Sequence, residues 1–317
     1  MEWFISHQSA LEFWRQAQAK DIRDAKRLRV KGPPAKPLDA RELYTKNPWG
    51  LSMPVSVLVG SNNACKATRG LECYIGSGPF PVGSFLAISG LTVSSPELCI
   101  MQMASILSFT DLVKLGYEFC GTYRLDKESE AIRGFRDDKP LTSVAKLDSY
   151  IAMASGLKGC KKARKALRYI TENSASPMET ALAMMLSLPY RLGGYGFPLP
   201  LLNCRISVTT DTKKKAETRR CDLYWPDAQV DIEYDSDAYH VGSDRISKDA
   251  IRRNVLASVG VTVVTVSRMQ ILKTAELRQV AKVLSKLLDK RLQCPEGFSS
   301  CHALLRQKVL PKVSDNR

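Results

Sequence analysis

The residues best suited to chemistry lie in one stretch, RRCDLYWPDAQVDIEYDSDAYH, from Arg219 to His240. If Gln229 to Asp235 is a strand, the two-residue period of β structure puts Asp231, Glu233 and Asp235 on one face and Val230, Ile232 and Tyr234 on the other. One face enters a core; the other is a row of negative charge. The preceding run, CDLYW, sets Cys221, Leu223 and Trp225 on one face and Asp222 with Tyr224 on the other. A turn centred between Asp227 and Ala228 then places Asp222 directly opposite Glu233. Directly opposed Cβ atoms are about 4.5–5.5 Å apart, where like charges destabilise each other, so a positive group belongs between them. Hard oxygen ligands of this kind suit Mg²⁺ (or Mn²⁺), which takes one or two carboxylates and leaves its other positions to water and phosphate. The competing reading is a solvated acidic strand neutralised by neighbouring Lys or Arg.

Two further residues bear on the choice. His240 follows the acidic strand, where it could act as a general acid or base beside a metal-bound water, although a surface histidine is also expected in such a loop. Glu179 sits in SASPMETALAMML, where Ser176, Pro177 and Glu179 fit a helix start with a serine N-cap, proline at the first position and a capping box. Capping is a sufficient reason for that glutamate; the first turn of a helix beside the sheet would also bring it near the metal.

The elements that must hold these residues follow from periodicity. Helical text covers Pro177 to Leu188, and strands are expected at Cys204–Thr210, Arg219–Trp225 and Gln229–Asp235. A helix from Asp244 to Ser258, the strand VTVVTV from Val261 to Val266 and a closing helix from Ala275 to Leu292 complete the unit. Strands mixed with a crossover helix point to an α/β unit with one mixed sheet. Upstream, residues 1–40 read as a helical arm (Trp3, Phe4, Leu11, Phe13, Trp14) and a proline-stiffened linker. Residues 41–125 read as a small α/β domain, with strands in PVSVLVG, LECYIG, SFLAIS and LTVSS and helical text from Pro96 to Phe119. Residues 126–175 read as a helical connector, 176–292 as the unit with the acidic strand, and 293–317 as a basic tail.

Composition bounds the function. The 317 residues carry 47 Lys and Arg against 32 Asp and Glu, a net charge of +15, with 44% hydrophobic and 25% charged residues. That balance excludes a disordered, collagenous or membrane-bundle chain. The N-terminus lacks an uninterrupted apolar core, and nothing approaches a membrane span of about 18 apolar residues, so the expectation is no secretory signal and no membrane partner. Nine cysteines without CxxC pairs point to reduced thiols in a cytoplasmic protein. The excess of positive charge points to a polyanion such as DNA, the alternative being a basic surface that serves solubility.

Taken together, SPMET opening a helix, then CDLYWPDAQVDIEYDSDAYH, then KDAIRRNVLASVGVTVVTV resemble an endonuclease-like family of unassigned function. That family is related to the very-short-patch-repair endonucleases of the PD-(D/E)xK superfamily. The resemblance covers Ser176 to about Ile271. It implies a C-terminal restriction-endonuclease-like mixed sheet flanked by helices, with Asp222 and Glu233 as the motif acids, Glu179 as the helix glutamate and His240 as the histidine after the acidic strand. Asp249, Arg253 and Gly260 match the helix and glycine before the final core strand. One position departs: Asp235 stands where the superfamily has lysine, which leaves water positioning to His240, Lys248 or Arg252 and makes Asp235 a possible further metal ligand. Residues 41–125, through LTVSSPELCIMQMASILSFTDLVKLGYEF, are similar to part of the AbiEi-type antitoxins, transcriptional regulators.

The leading expectation is therefore a Mg²⁺-dependent DNA endonuclease with Asp222, Glu233, His240 and Glu179 at its centre and metal ligands Asp222, Glu233 and Asp235. Lys213, Lys214, Lys215, Arg219, Arg220, Arg252 and Arg253 would contact flanking phosphates, which positions a duplex without reading its sequence. A DNA-binding regulator with an inactive nuclease fold competes with it, as does a hydrolase of a small phosphorylated substrate. The basic block Lys158, Lys161, Lys162, Arg164, Lys165 and Arg168 reads equally as a solvated helix face or a phosphate-contacting one. Cys294, Cys301 and His302 fit no usual zinc spacing, and Gly193, Gly194 and Gly196 fit a turn rather than a phosphate loop. Oligomeric state is left open.

Overall fold

A computed structural model of the chain describes residues 3–30, 32–33, 49–64, 70–76, 78–88, 90–126, 134–208, 217–235 and 255–311. The chain divides into two compact units, Met1–Ile170 and Thr171–Arg317. Each is a mixed α/β unit.

The first unit is built on a six-stranded sheet of order β2 (Lys26–Arg27), β5 (Phe85–Ile88), β6 (Leu91–Ser94), β1 (Phe4–Ile5), β3 (Val55–Val59) and β4 (Leu71–Ile75). Strand β1 (Phe4–Ile5) pairs antiparallel with β3 (Val55–Val59) and parallel with β6 (Leu91–Ser94), which places the N-terminal residues inside the sheet. Helix α1 (His7–Gln16) follows and buries Leu11, Phe13 and Trp14, with the Trp14 indole donating to the Ser94 carbonyl at 2.9 Å. Phe4, Ile5, Leu11, Phe13 and Trp14, expected in a helical arm, are thus buried in this unit. Burying side chains of this size stabilises by roughly 1.5–3 kcal/mol each, which an arm would forgo. After α2 (Ala19–Asp24), strand β2 (Lys26–Arg27) joins the edge beside β5 (Phe85–Ile88); β4 (Leu71–Ile75) lies parallel to β3. Helix α3 (Pro96–Met103) starts at Ser95, whose hydroxyl accepts the Leu98 amide, and α4 (Phe109–Cys120) starts at Ser108. A small ladder of β7 (Tyr123–Leu125) and β8 (Phe135–Asp137) precedes α5 (Val144–Met153) and α6 (Cys160–Leu167). These last helices belong to the first unit, and the segment expected as a connector contributes Leu147, Ile151, Ala163 and Ala166 to that unit's buried residues.

The second unit opens with α7 (Pro177–Ser187), followed by β9 (Leu201–Val208), β10 (Glu217–Trp225) and β11 (Val230–Asp235) as an antiparallel meander. Residues 255–258 are helical, and β12 (Thr262–Ser267) then runs parallel to β11, giving the order β12-β11-β10-β9. Helices α8 (Arg268–Leu272), α9 (Thr274–Leu287) and α10 (Phe298–Val309) close the unit. Within the stretch expected as a basic tail, α10 buries Phe298, His302, Leu305 and Val309. His302 Nδ1 lies 2.6 Å from the Gly193 carbonyl, and its ring stacks on Phe298. Gly193 takes φ +87°, and a Cβ there would meet the Cys301 carbonyl at 2.3 Å, so this glycine permits the turn and helix α10 to touch.

Candidate functional site

The turn between β10 and β11 fixes the register. A short 3₁₀ turn, Pro226–Ala228, leads into Gln229 at φ +51°, and the ladder pairs Trp225 with Val230, Tyr224 with Asp231 and Leu223 with Ile232. This is the register expected from the sequence; the ladder ends at Leu223 and Ile232, one step short of Asp222 and Glu233. At that step the Asp222 side chain enters the ladder itself: its Oδ2 accepts the Tyr234 backbone N–H at 3.0 Å.

On the other side of β10 the alternation breaks. The β9–β10 ladder pairs Cys221 with Cys204 and Leu223 with Leu202 but has no pair at Asn203 and Asp222. Asn203 takes φ +49°, a left-handed conformation that asparagine tolerates better than most side chains. As a result Cys221 and Tyr224, three residues apart, share one apolar cluster with Val208, Leu256 and Val261. The simple two-face reading of CDLYW is corrected accordingly: an irregularity in the pleat puts Tyr224 with Cys221.

Asn203 connects the helix to the sheet. Its Nδ2 donates to Glu179 Oε2 at 2.7 Å and to the Asn173 carbonyl at 2.7 Å, and its Oδ1 accepts from Arg220 Nε at 2.7 Å. Glu179, 8% exposed, also takes the Ala175 amide at 2.9 Å and the Ser176 hydroxyl at 3.0 Å. Ser176 caps α7 as expected, accepting the Glu179 amide at 3.1 Å. The carboxylate, however, grips the amide of Ala175 rather than closing a capping box on Ser176. Burial pushes the Glu179 carboxyl above the ordinary range, the charge of Asp222 adds to this, and the three donors pull it back. Glu179 and Asp222 are therefore close enough for their charges to interact.

The residue that sequence reasoning passed over is Asp231. It is fully buried, and among the described residues its carboxyl oxygens have no hydrogen bond of ordinary geometry. Burial first, then the charges of Glu233 and Asp222, push its pKa up to about 7, with the Cys221 thiol and the Leu223 amide opposing. Glu233 and Asp235 are half-buried at the C-terminal end of β11, beside Thr265 and Ser267 of β12. Asp222, Glu233 and Asp231 thus form an electrostatically coupled group, with Glu179 coupled to it through Asp222.

Metal fit follows from this donor set. Among the described residues no three His, Cys, Asp or Glu side chains converge as a metal-binding group, so Asp222, Glu233 and Asp235 are not assembled as the expected three-carboxylate set. Asp222 and Glu233, whose charges both act on Asp231, supply the hard oxygen donors that a divalent cation taking two carboxylates would need. Of the residues expected to meet phosphate, Arg219 is half-buried and Arg220 is exposed, its guanidinium held by Asn203. His240, Lys213, Lys214, Lys215, Lys248, Asp249, Arg252 and Arg253 lie outside the described residues. No helix among the described residues is long and apolar enough to cross a membrane.

In comparison with known proteins, no family model, no curated protein and no solved structure matches the chain.

Proposed function

We propose that the second unit is a metal-dependent nuclease hydrolysing phosphodiester bonds of DNA. The observation that carries the reading is the β10–β11 register, which ends one step short of Asp222 and Glu233 with the Asp222 carboxylate on the Tyr234 amide, on a mixed sheet flanked by helices. Asp222 and Glu233 would hold Mg²⁺ or Mn²⁺, which when bound supplies Lewis-acid polarisation of a phosphoryl oxygen and activation of water. The chain's own residues do the positioning. The Tyr234 amide orients Asp222, and Glu179 fixes Asn203, which in turn holds the exposed Arg220 guanidinium. Asp231 keeps the local charge low while protonated and raises the demand for a cation when ionised. His240 is assigned proton transfer by resemblance alone.

The regulator reading has two specific observations in its favour: Asp235 at the position where lysine is expected, and the lack of a three-carboxylate group among the described residues. The readings separate when cleavage and binding are followed on the same labelled duplex in Mn²⁺ and in chelator. A nuclease binds in both and cuts only with metal; binding without a cut in any divalent metal supports the regulator.

A further inference from the structure

Helix α6 carries the sequence CKKARKAL and contains no acidic residue. Its inner face is Cys160, Ala163 and Ala166, all buried. Its anchoring is close. Gly159, at φ +90°, caps the helix where an added Cβ would lie 2.1 Å from the Met101 carbonyl, and the Cys160 thiol points at the Ile151 carbonyl at 3.5 Å. Two of its cations are consumed in that anchoring: Lys162 donates to the Leu107 carbonyl, and Arg164 donates to the Ile151 carbonyl at 3.2 Å. Lys161, Lys165 and Arg168 are left on the outer face, exposed and without an ion pair among the described residues. Their spacing of four and then three residues aligns them in one stripe along the helix.

This arrangement is unfavourable for the helix itself. Like charges at i,i+4 and i,i+3 destabilise a helix by about 0.2–0.5 kcal/mol per pair, and no acidic residue within α6 offsets them. A stripe of cations on one helix face suits a polyanion, because each phosphate it neutralises releases condensed counterions. We infer that the outer face of α6, through Lys161, Lys165 and Arg168, is a contact surface for the phosphate backbone of duplex DNA, located in the first unit. The inference rests on DNA as the partner and not on cleavage.

The test measures binding of the full chain to a labelled duplex in chelator, so that cutting plays no part, across a range of salt concentrations. Replacing Lys161, Lys165 and Arg168 together by Gln is expected to reduce the slope of log affinity against log salt by about 2–3, close to 0.9 for each lost phosphate contact. Lys161→Arg with Lys165→Arg is expected to keep the wild-type slope. Thermal unfolding at the wild-type temperature verifies that the glutamine variant is folded, as expected for three exposed side chains. An unchanged slope in the folded variant overturns the inference, and so does a wild-type chain that fails to bind DNA. A variant that loses binding to anionic phospholipid vesicles while its DNA slope stays unchanged also overturns it. Retained DNA binding with no cleavage in any metal leaves this surface standing and removes only the nuclease reading.

Discussion

At the residue scale the account turns on Asp231. A carboxyl whose folded pKa is raised holds its proton in the folded chain at pH values where the unfolded chain has lost it. Stability therefore falls as pH rises from about 4, and the loss is complete above the folded value of about 7. The full loss is on the order of 4 kcal/mol. In metal-free protein, Asp231→Asn should flatten the stability profile between pH 4.5 and 8 and make the variant more stable than wild type at pH 8; urea unfolding across that range measures both. Parallel profiles for the two proteins would contradict this. The register of β10 against β11 was legible because Trp-Pro-Asp-Ala-Gln marks the turn, and the turn centre determines it. The burial of Asp231 was not legible, since alternation assigns a row of acids to the solvent face and says nothing about what covers it.

At the element scale Asn203 joins α7, β9 and β10. Its amide serves Glu179, Asn173 and Arg220, and its backbone is left-handed within a strand. Asn203→Ala loses these bonds and strains the backbone, and should cost roughly 2–4 kcal/mol in urea unfolding. Asn203→Gly relieves the backbone and should cost less, which separates the two contributions; equal costs would place the whole effect in the side chain. Positive φ inside a strand leaves no mark in hydrophobic patterning, so the break in the ladder at Asn203 was not legible. Strand β1 was missed for a different reason. Its two residues are too few to show alternation, and their apolar side chains merge with the helical pattern of α1. Helix α10 was hidden by its basic composition, although Phe298, His302, Leu305 and Val309 do recur at helical spacing.

At the scale of the whole molecule, the two units have different dependencies. Because β1 lies between β3 and β6, removing residues 1–6 should unfold the first unit, whereas loss of a mere arm would leave it intact. Limited proteolysis and circular dichroism of the truncated chain distinguish these outcomes. The +15 charge is likewise distributed: cations line the outer face of α6 in one unit, while coupled carboxylates occupy the sheet of the other. The central claim is that those carboxylates cut DNA, and nicking of supercoiled plasmid tests it most directly. Wild-type protein should nick in Mg²⁺ or Mn²⁺ and not in chelator, and Asp222→Ala or Glu233→Ala should each lower the rate by more than about 100-fold, beyond the usual cost of disturbing a residue outside the metal's direct ligands. No nicking by the wild type, or nicking that survives both substitutions, would contradict the account.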